Sequence, residues 1–207
     1  MIPLLLHAGC GPNYKEDIRS FHDWNEIRLD LCEDAAPDIQ ASFVSLPFKQ
    51  ESFDAILLMH SIEHVPLRDG HKALCEFFRV LKPQGFLIIT CPDLEAVAKF
   101  ILAHGMAHSV YDAPVGPIYP LDILYGHQEM TQCAPGMEHK CGYTFWSLKA
   151  SLENAGFKGV FGGRAEGVSE LDFIAFKESQ TEQTYTQHLQ DHFPWVFTLV
   201  NSQQKAA

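Results

Sequence analysis

Short apolar runs alternate with longer mixed stretches along this chain, at spacings that suit strands separated by helices. Leu4-Leu5-Leu6 leads into Gly9-Cys10-Gly11-Pro12, the pattern of a strand buried on both faces that enters a glycine turn. Glu26–Leu31 predicts a second strand with the acid Asp30 near its end, Ile39–Val44 a third, and Phe53–His60 the strongest. A short helix is expected around Glu16–Phe21. From Pro66 to Leu81, apolar Leu67, Ala73, Leu74, Phe77, Phe78 and Leu81 recur at helical spacing, and Lys82-Pro83-Gln84-Gly85 stops that helix. Phe86–Cys91 reads as a strand, and Pro92-Asp93 as the cap of a helix reaching about His104. Gly105–Gly142 has no clear period. Thr144 caps a helix to Asn154, and Gly156 closes it. Phe157–Phe161 and Leu171–Lys177 are the last strands. Their link is too short for a crossover helix, so they form an antiparallel hairpin.

Alternating strands and helices imply an α/β fold, a doubly wound, mostly parallel seven-stranded sheet with an antiparallel C-terminal edge hairpin. Residues 1–178 are expected to form one domain. About 105–143 would be an insertion serving as a lid or substrate element, and 179–207 a tail. Ligands of such sheets bind past the strand carboxyl ends. Gly9–Gly11, Asp30, His60 and Pro92-Asp93 all fall there and should gather on one rim.

Composition narrows the partners. With a formal net charge of -11 and no Lys/Arg cluster, the chain lacks the basic face that grips nucleic acid or an anionic membrane. No apolar run is long enough to span a bilayer, and no basic and apolar leader precedes the first strand, so a cytoplasmic protein is expected. The six cysteines follow no disulfide framework and read as thiols.

Gly9–Pro12, Leu46-Pro47-Phe48, Ser52-Phe53-Asp54, Glu63-His64-Val65 and Leu81–Gly85 together resemble a class I S-adenosylmethionine-dependent methyltransferase of the small, bacterial, type 11-like branch. The resemblance covers about Leu4–Lys177 and implies a Rossmann-like fold with S-adenosyl-L-methionine as cofactor. His7, Ala8, Gly9, Cys10 and Gly11 would then lie along the methionine part. Asp30 would accept from both ribose hydroxyls, with Leu31 beside it. Ser42 and Phe43 would lie at the adenine, and Met59, His60 and Ser61 would face the methyl group. Three positions depart from the family's pattern: His7 replaces an acid, Asn13 a glycine, and Ser42 an adenine-reading Asp.

Methyl transfer is an in-line displacement that needs alignment first and a base only for some acceptors. His60, His64, His127, His139, Tyr119, Tyr125 and Tyr143 carry the right side chains. His60, His139 and Tyr143 are the expected catalytic residues. His60 would alternatively pack on the ribose, and His139–Thr144 would alternatively be a capping turn. Asp93 reads as a helix cap. His127, Cys133, His139 and Cys141 are zinc-ligand types, but their spacing matches no common knuckle and no metal is expected. The expected function is methylation of a small-molecule acceptor. Its rivals are a non-catalytic S-adenosylmethionine-binding subunit and a nicotinamide-dependent oxidoreductase, which would share the glycine turn and ribose acid. Phe193–Phe197 would be a docking patch, with a homodimer contact as one use.

Overall fold

The computed structural model describes residues 2–12, 21–128, 136–165 and 169–192. Its sheet runs β3-β2-β1-β4-β5-β9-β8. The strands are β1 (Leu4–Ala8), β2 (Asn25–Asp30), β3 (Ile39–Gln40), β4 (Phe53–Met59), β5 (Leu81–Pro92), β8 (Gly159–Ala165) and β9 (Glu170–Phe176). β1 to β5 pair in parallel, whereas β9 is antiparallel to both β5 and β8. The expected topology is therefore observed. Sequence order reverses between β1 and β4, which opens the crevice where such sheets bind ligands.

Both faces of the central strands are buried, which is why β1 and β4 need unbroken apolar runs. Leu6, Ile56 and Leu58 point into one layer with α1 (Leu67–Val80) and α4 (Phe145–Ala155), through Phe77, Leu148 and Leu152. Leu5, Ala55 and Leu57 point the other way, to Phe21, Phe86 and Phe176. At the far end of the strands, Asp54 connects the Ser-Phe-Asp and Leu-Lys-Pro motifs. Its Oδ2 accepts from the Leu4 N–H at 2.9 Å and from Lys82 Nζ at 2.7 Å. One carboxylate thus ties the start of β1 to the turn that enters β5.

Several expected boundaries differ. β3 ends at Gln40, because Ala41–Ser45 curls into a turn in which the Ser42 hydroxyl accepts from the Val44 N–H. The Lys82–Gly85 turn is drawn into β5, with a register shift between Phe53 and Ala55. The region 105–142 carries a hairpin, β6 (Tyr111–Ala113) and β7 (Gly116–Ile118), and α3 (Pro120–Tyr125). Strands of three residues are too short to register as a period. The polar tail forms α5 (Glu182–His192), which seats Tyr185 against Phe161 and Phe176, at ring centroids of 4.3 and 5.1 Å. The expected helix at Glu16–Phe21 and the Phe193–Phe197 patch lie largely or wholly outside the described residues. Among the described residues, no helix is long and apolar enough to cross a membrane.

Candidate cofactor and acceptor site

The glycine turn after β1 is shaped by its own backbone. Gly9 and Gly11 have φ of +59° and +52°, in the left-handed region that glycine enters without a Cβ penalty. A Cβ on Gly9 would sit 2.5 Å from Ser61 Oγ, whereas one on Gly11 would meet nothing within 4 Å. Gly9 is thus glycine for packing as well as conformation, and Gly11 leaves open room above the turn. Ser61, two residues past β4, donates to the Met59 carbonyl at 2.8 Å and the Gly9 carbonyl at 3.2 Å, which ties the two strand ends together.

Asp30 closes the same turn from β2. Its Oδ2 accepts from the Gly11 N–H at 2.8 Å and its Oδ1 from the Cys32 N–H at 2.9 Å. A carboxylate offers about four lone-pair sites, so roughly two remain for a ligand. Leu31 beside it is 63% exposed, and Met59 is also exposed. Phe43 is mostly buried, its ring 6.1 Å from that of Phe77, with one edge beneath Gly9. The Ser42 hydroxyl accepts from the Val44 N–H at 3.2 Å within its own turn.

Two residues here had no role in the sequence reading or a different one. Arg28 is buried and donates to the Gly11 carbonyl at 2.6 Å, the Ala36 carbonyl at 2.7 Å and the Ala35 carbonyl at 3.0 Å. Its guanidinium fork holds the glycine turn and the loop after β2 in one arrangement. His7, expected along the cofactor's methionine part, is 1% exposed and pairs through Nδ1 with Glu26 Oε1 at 2.8 Å. Burial lowers its pKa despite the opposing pull of Glu26. It supports the turn from beneath. Cys10 is buried, its thiol pushed up to about 11 by burial, so it contributes backbone and no nucleophile.

The end of β4 is different in kind. His60 turns through φ of +44° and presents its ring between two carboxylates, Glu170 Oε2 at 3.0 Å and Glu63 Oε1 at 3.6 Å. Burial works against its charge, but the hydrogen bond to Glu170 and attraction to both Glu170 and Glu63 outweigh that and raise its pKa to about 10. The two carboxylates thus favour the protonated ring at His60.

The insertion approaches this rim. The Glu63 carbonyl accepts from Lys140 N–H at 2.7 Å and Cys141 N–H at 3.2 Å, and the His139 ring donates from Nδ1 to the Ile123 carbonyl of α3 at 2.8 Å. His139 thus stands next to Glu63 and His64. Tyr143 does not. It is 1% exposed, with its hydroxyl against Gly70 of α1, and burial pushes its phenol above the ordinary range. The structure places it in the core, out of a substrate's reach, because the segment before α4 pairs with Asp93 and points the phenol inward. Asp93 caps α2 (Leu94–His104) by accepting from the Glu95 N–H, as expected, and also holds Arg164 at 2.7 Å. Tyr119, Asp122 and His127 line a cavity of about 370 Å³ inside the insertion, with Met106, Val115 and Leu121 supplying its apolar walls. Tyr125 is exposed. Of the zinc-type residues, Cys133 lies outside the described residues.

Residues 6–89 match the family described as "Methyltransferase domain". An uncharacterised protein of Methanocaldococcus jannaschii is 32% identical over 103 residues, covering 46% of this chain and 44% of its own. A protein of Mycolicibacterium smegmatis, named as an S-adenosylmethionine-dependent methyltransferase, is 26% identical over 183 residues, covering 81% of this chain and 58% of its own. The chain thus spans about half the length of these curated relatives. In fold it is similar to the Burkholderia thailandensis 1,6-didemethyltoxoflavin-N1-methyltransferase, solved with its substrate and S-adenosylhomocysteine. The TM-score is 0.58 at 18% identity, over 86% of this chain and 72% of that one.

Proposed function

We propose that this chain, which resembles class I S-adenosylmethionine-dependent methyltransferases in its N-terminal sequence and in its fold, binds S-adenosyl-L-methionine and methylates a small-molecule acceptor. The observation that carries this reading is the glycine turn held by Asp30 at the carboxyl rim, with room above Gly11 and lone pairs to spare on Asp30. When bound, the cofactor supplies an activated methyl group on a sulfonium. The chain's own part is binding and alignment. The Gly9-Cys10-Gly11 backbone would pass beneath the methionine portion, Asp30 would take the ribose hydroxyls, and Leu31, Ser42 and Phe43 would flank the base. Ala8 ends β1 directly below. Met59, His60 and Ser61 would form the wall nearest the reacting atoms.

His60 in this scheme orients rather than abstracts, because its charge is held between Glu63 and Glu170. The insertion, with His139 at its border and an apolar cavity within, would cover the acceptor and exclude water. The antiparallel β9 beside β5 favours this reading over a nicotinamide enzyme, whose two halves call for a parallel strand in that position. Calorimetric titration with S-adenosylmethionine, S-adenosylhomocysteine and NADH tests it. Binding of the first two, lost in Asp30→Ala, is the expected result. Binding of NADH alone would overturn it, and cofactor binding without turnover across a panel of acceptors would leave the non-catalytic reading.

A further inference from the structure

Glu63 is the least satisfied polar side chain near the rim. It is 1% exposed, and neither carboxylate oxygen has a partner within hydrogen-bond distance. Its closest charged neighbour is His60 Nδ1 at 3.6 Å. A buried carboxylate without hydrogen bonds is costly, and the His60 ring, which Glu63 shares with Glu170, offsets only part of that cost, so that a ligand would supply the rest. Two imidazoles stand beside it. One ring nitrogen each of His64 and His139 and one oxygen of Glu63 all lie within 4.8 Å of one another. The two rings meet edge to face at 5.0 Å.

The surroundings of the two histidines are those of ligands. His64 Nδ1 contacts the Glu138 carbonyl at 3.2 Å, and His139 Nδ1 contacts the Ile123 carbonyl at 2.8 Å. A carbonyl only accepts, so Nδ1 is the donor in both rings, which leaves Nε2 as the atom that would ligate. A backbone carbonyl that fixes the tautomer is the usual outer support of a metal-binding imidazole. Donors in a tetrahedral site with bonds of about 2.1 Å lie roughly 3.4 Å apart, so closing the present spacing needs side-chain shifts on the order of 1 Å.

We propose that Glu63, His64 and His139 form a binding site for a divalent first-row transition ion, with zinc the best fit to two imidazoles and one carboxylate. The expectation of no metal rested on His127, Cys133, His139 and Cys141, of which only His139 belongs to this site. The ion would cancel the buried charge of Glu63. It would also join the β4 end, which supplies Glu63 and His64, to the border of the insertion, which supplies His139. Three protein ligands leave a fourth position open.

The test is zinc binding by the chelator-stripped full chain, measured by competition with a chromophoric chelator, with thermal unfolding as a second readout. One tight zinc per chain is expected, with a higher unfolding temperature when zinc is added. His139→Ala and His64→Ala should each weaken binding at least about tenfold and abolish the thermal shift. Glu63→Gln keeps the shape of the side chain and should do the same. S-adenosylhomocysteine binding by the stripped variants checks that they are folded. That readout is independent of the metal, so the two readings succeed or fail separately. Absence of tight zinc binding by the parent chain would overturn the site. So would zinc held equally by folded His64→Ala and His139→Ala chains, which would assign it to other thiols or imidazoles.

Discussion

The two halves of the rim solve the same problem in opposite ways. At β1 and β2, backbone and side-chain groups are locked together: Arg28 on three carbonyls, Asp30 on two N–H groups, Ser61 across to Gly9. At the end of β4, polar groups are gathered with mismatched partners: a doubly flanked His60, an unbonded Glu63, and a His64–His139 pair drawn from distant segments. A fixed ligand shape calls for the first arrangement, since preorganised donors and acceptors cost nothing to order on binding. The second keeps buried charge in reserve for a guest. Substitutions should therefore act differently on the two sides.

The largest effect is expected at Arg28. Replacing it with Leu strands three carbonyl acceptors around the glycine turn. Removal of one partner from a buried charged network costs about 3–5 kcal/mol. Urea denaturation should show a loss of that order, with S-adenosylhomocysteine binding weakened in parallel. A loss under about 1 kcal/mol would mean that the turn holds itself. Asp30→Ala comes next. Hydrogen bonds to a charged group are worth about 1.5–3 kcal/mol each, so losing those expected to the ribose should weaken cofactor binding at least about 100-fold in calorimetry. A change of less than fivefold would deny Asp30 its assigned role.

Arg28 also shows what the sequence could not reveal. In Glu26–Leu31 it reads as a polar position on a strand, because its partners at Ala35 and Ala36 are carbonyls, which any residue supplies. The cofactor side was otherwise readable, since glycine turn, acid and strand end sit close in sequence and backbone geometry dictates their roles. The acceptor side was not. His139 meets Glu63 from 76 positions further along the chain, and Tyr143 is carried inward by a bridge to Asp93 that no local pattern announces. The strands followed from apolar runs, and the antiparallel edge from one short link. β3 was overread because a side-chain turn at Ser42 competes with the strand. α5 was missed because its contacts with the sheet rest on Tyr185 and His188 in an otherwise polar stretch.

The glycines sharpen the contrast within the locked half. Gly9→Ala combines a strained φ with a Cβ 2.5 Å from Ser61 Oγ, while Gly11→Ala carries the strained φ alone. Left-handed backbone costs a non-glycine residue roughly 1–2 kcal/mol. The stability loss should be greater for Gly9→Ala, and Ser61→Gly should recover part of it. Gly11→Ala should instead spare stability relative to Gly9→Ala and weaken cofactor binding, by filling the room above the turn. Equal effects of both changes on both readouts would erase the distinction. On the β4 side, Glu170→Gln removes one partner of a half-exposed His60. Stability should change by less than about 1 kcal/mol and cofactor affinity by less than twofold, while turnover with an identified acceptor falls.

The smallest effect is a slope. Burial holds the His7 pKa below its ordinary value, against the pull of Glu26 and Asp30 and with Arg28 opposing a second positive charge. The folded chain thus binds a proton at His7 less readily than the unfolded chain. The stability this contributes is fully present above the unfolded value of about 6.5 and is lost as pH falls through that value toward the lower folded one. His7→Gln keeps a polar side chain that can reach Glu26 and removes the titration. Unfolding temperatures of both chains, measured from pH 8 to pH 5, should diverge at the high end and converge at the low end. A parallel pair of curves would mean that His7 is protonated alike in both states, and that its burial against Glu26 adds no pH dependence to the locked half.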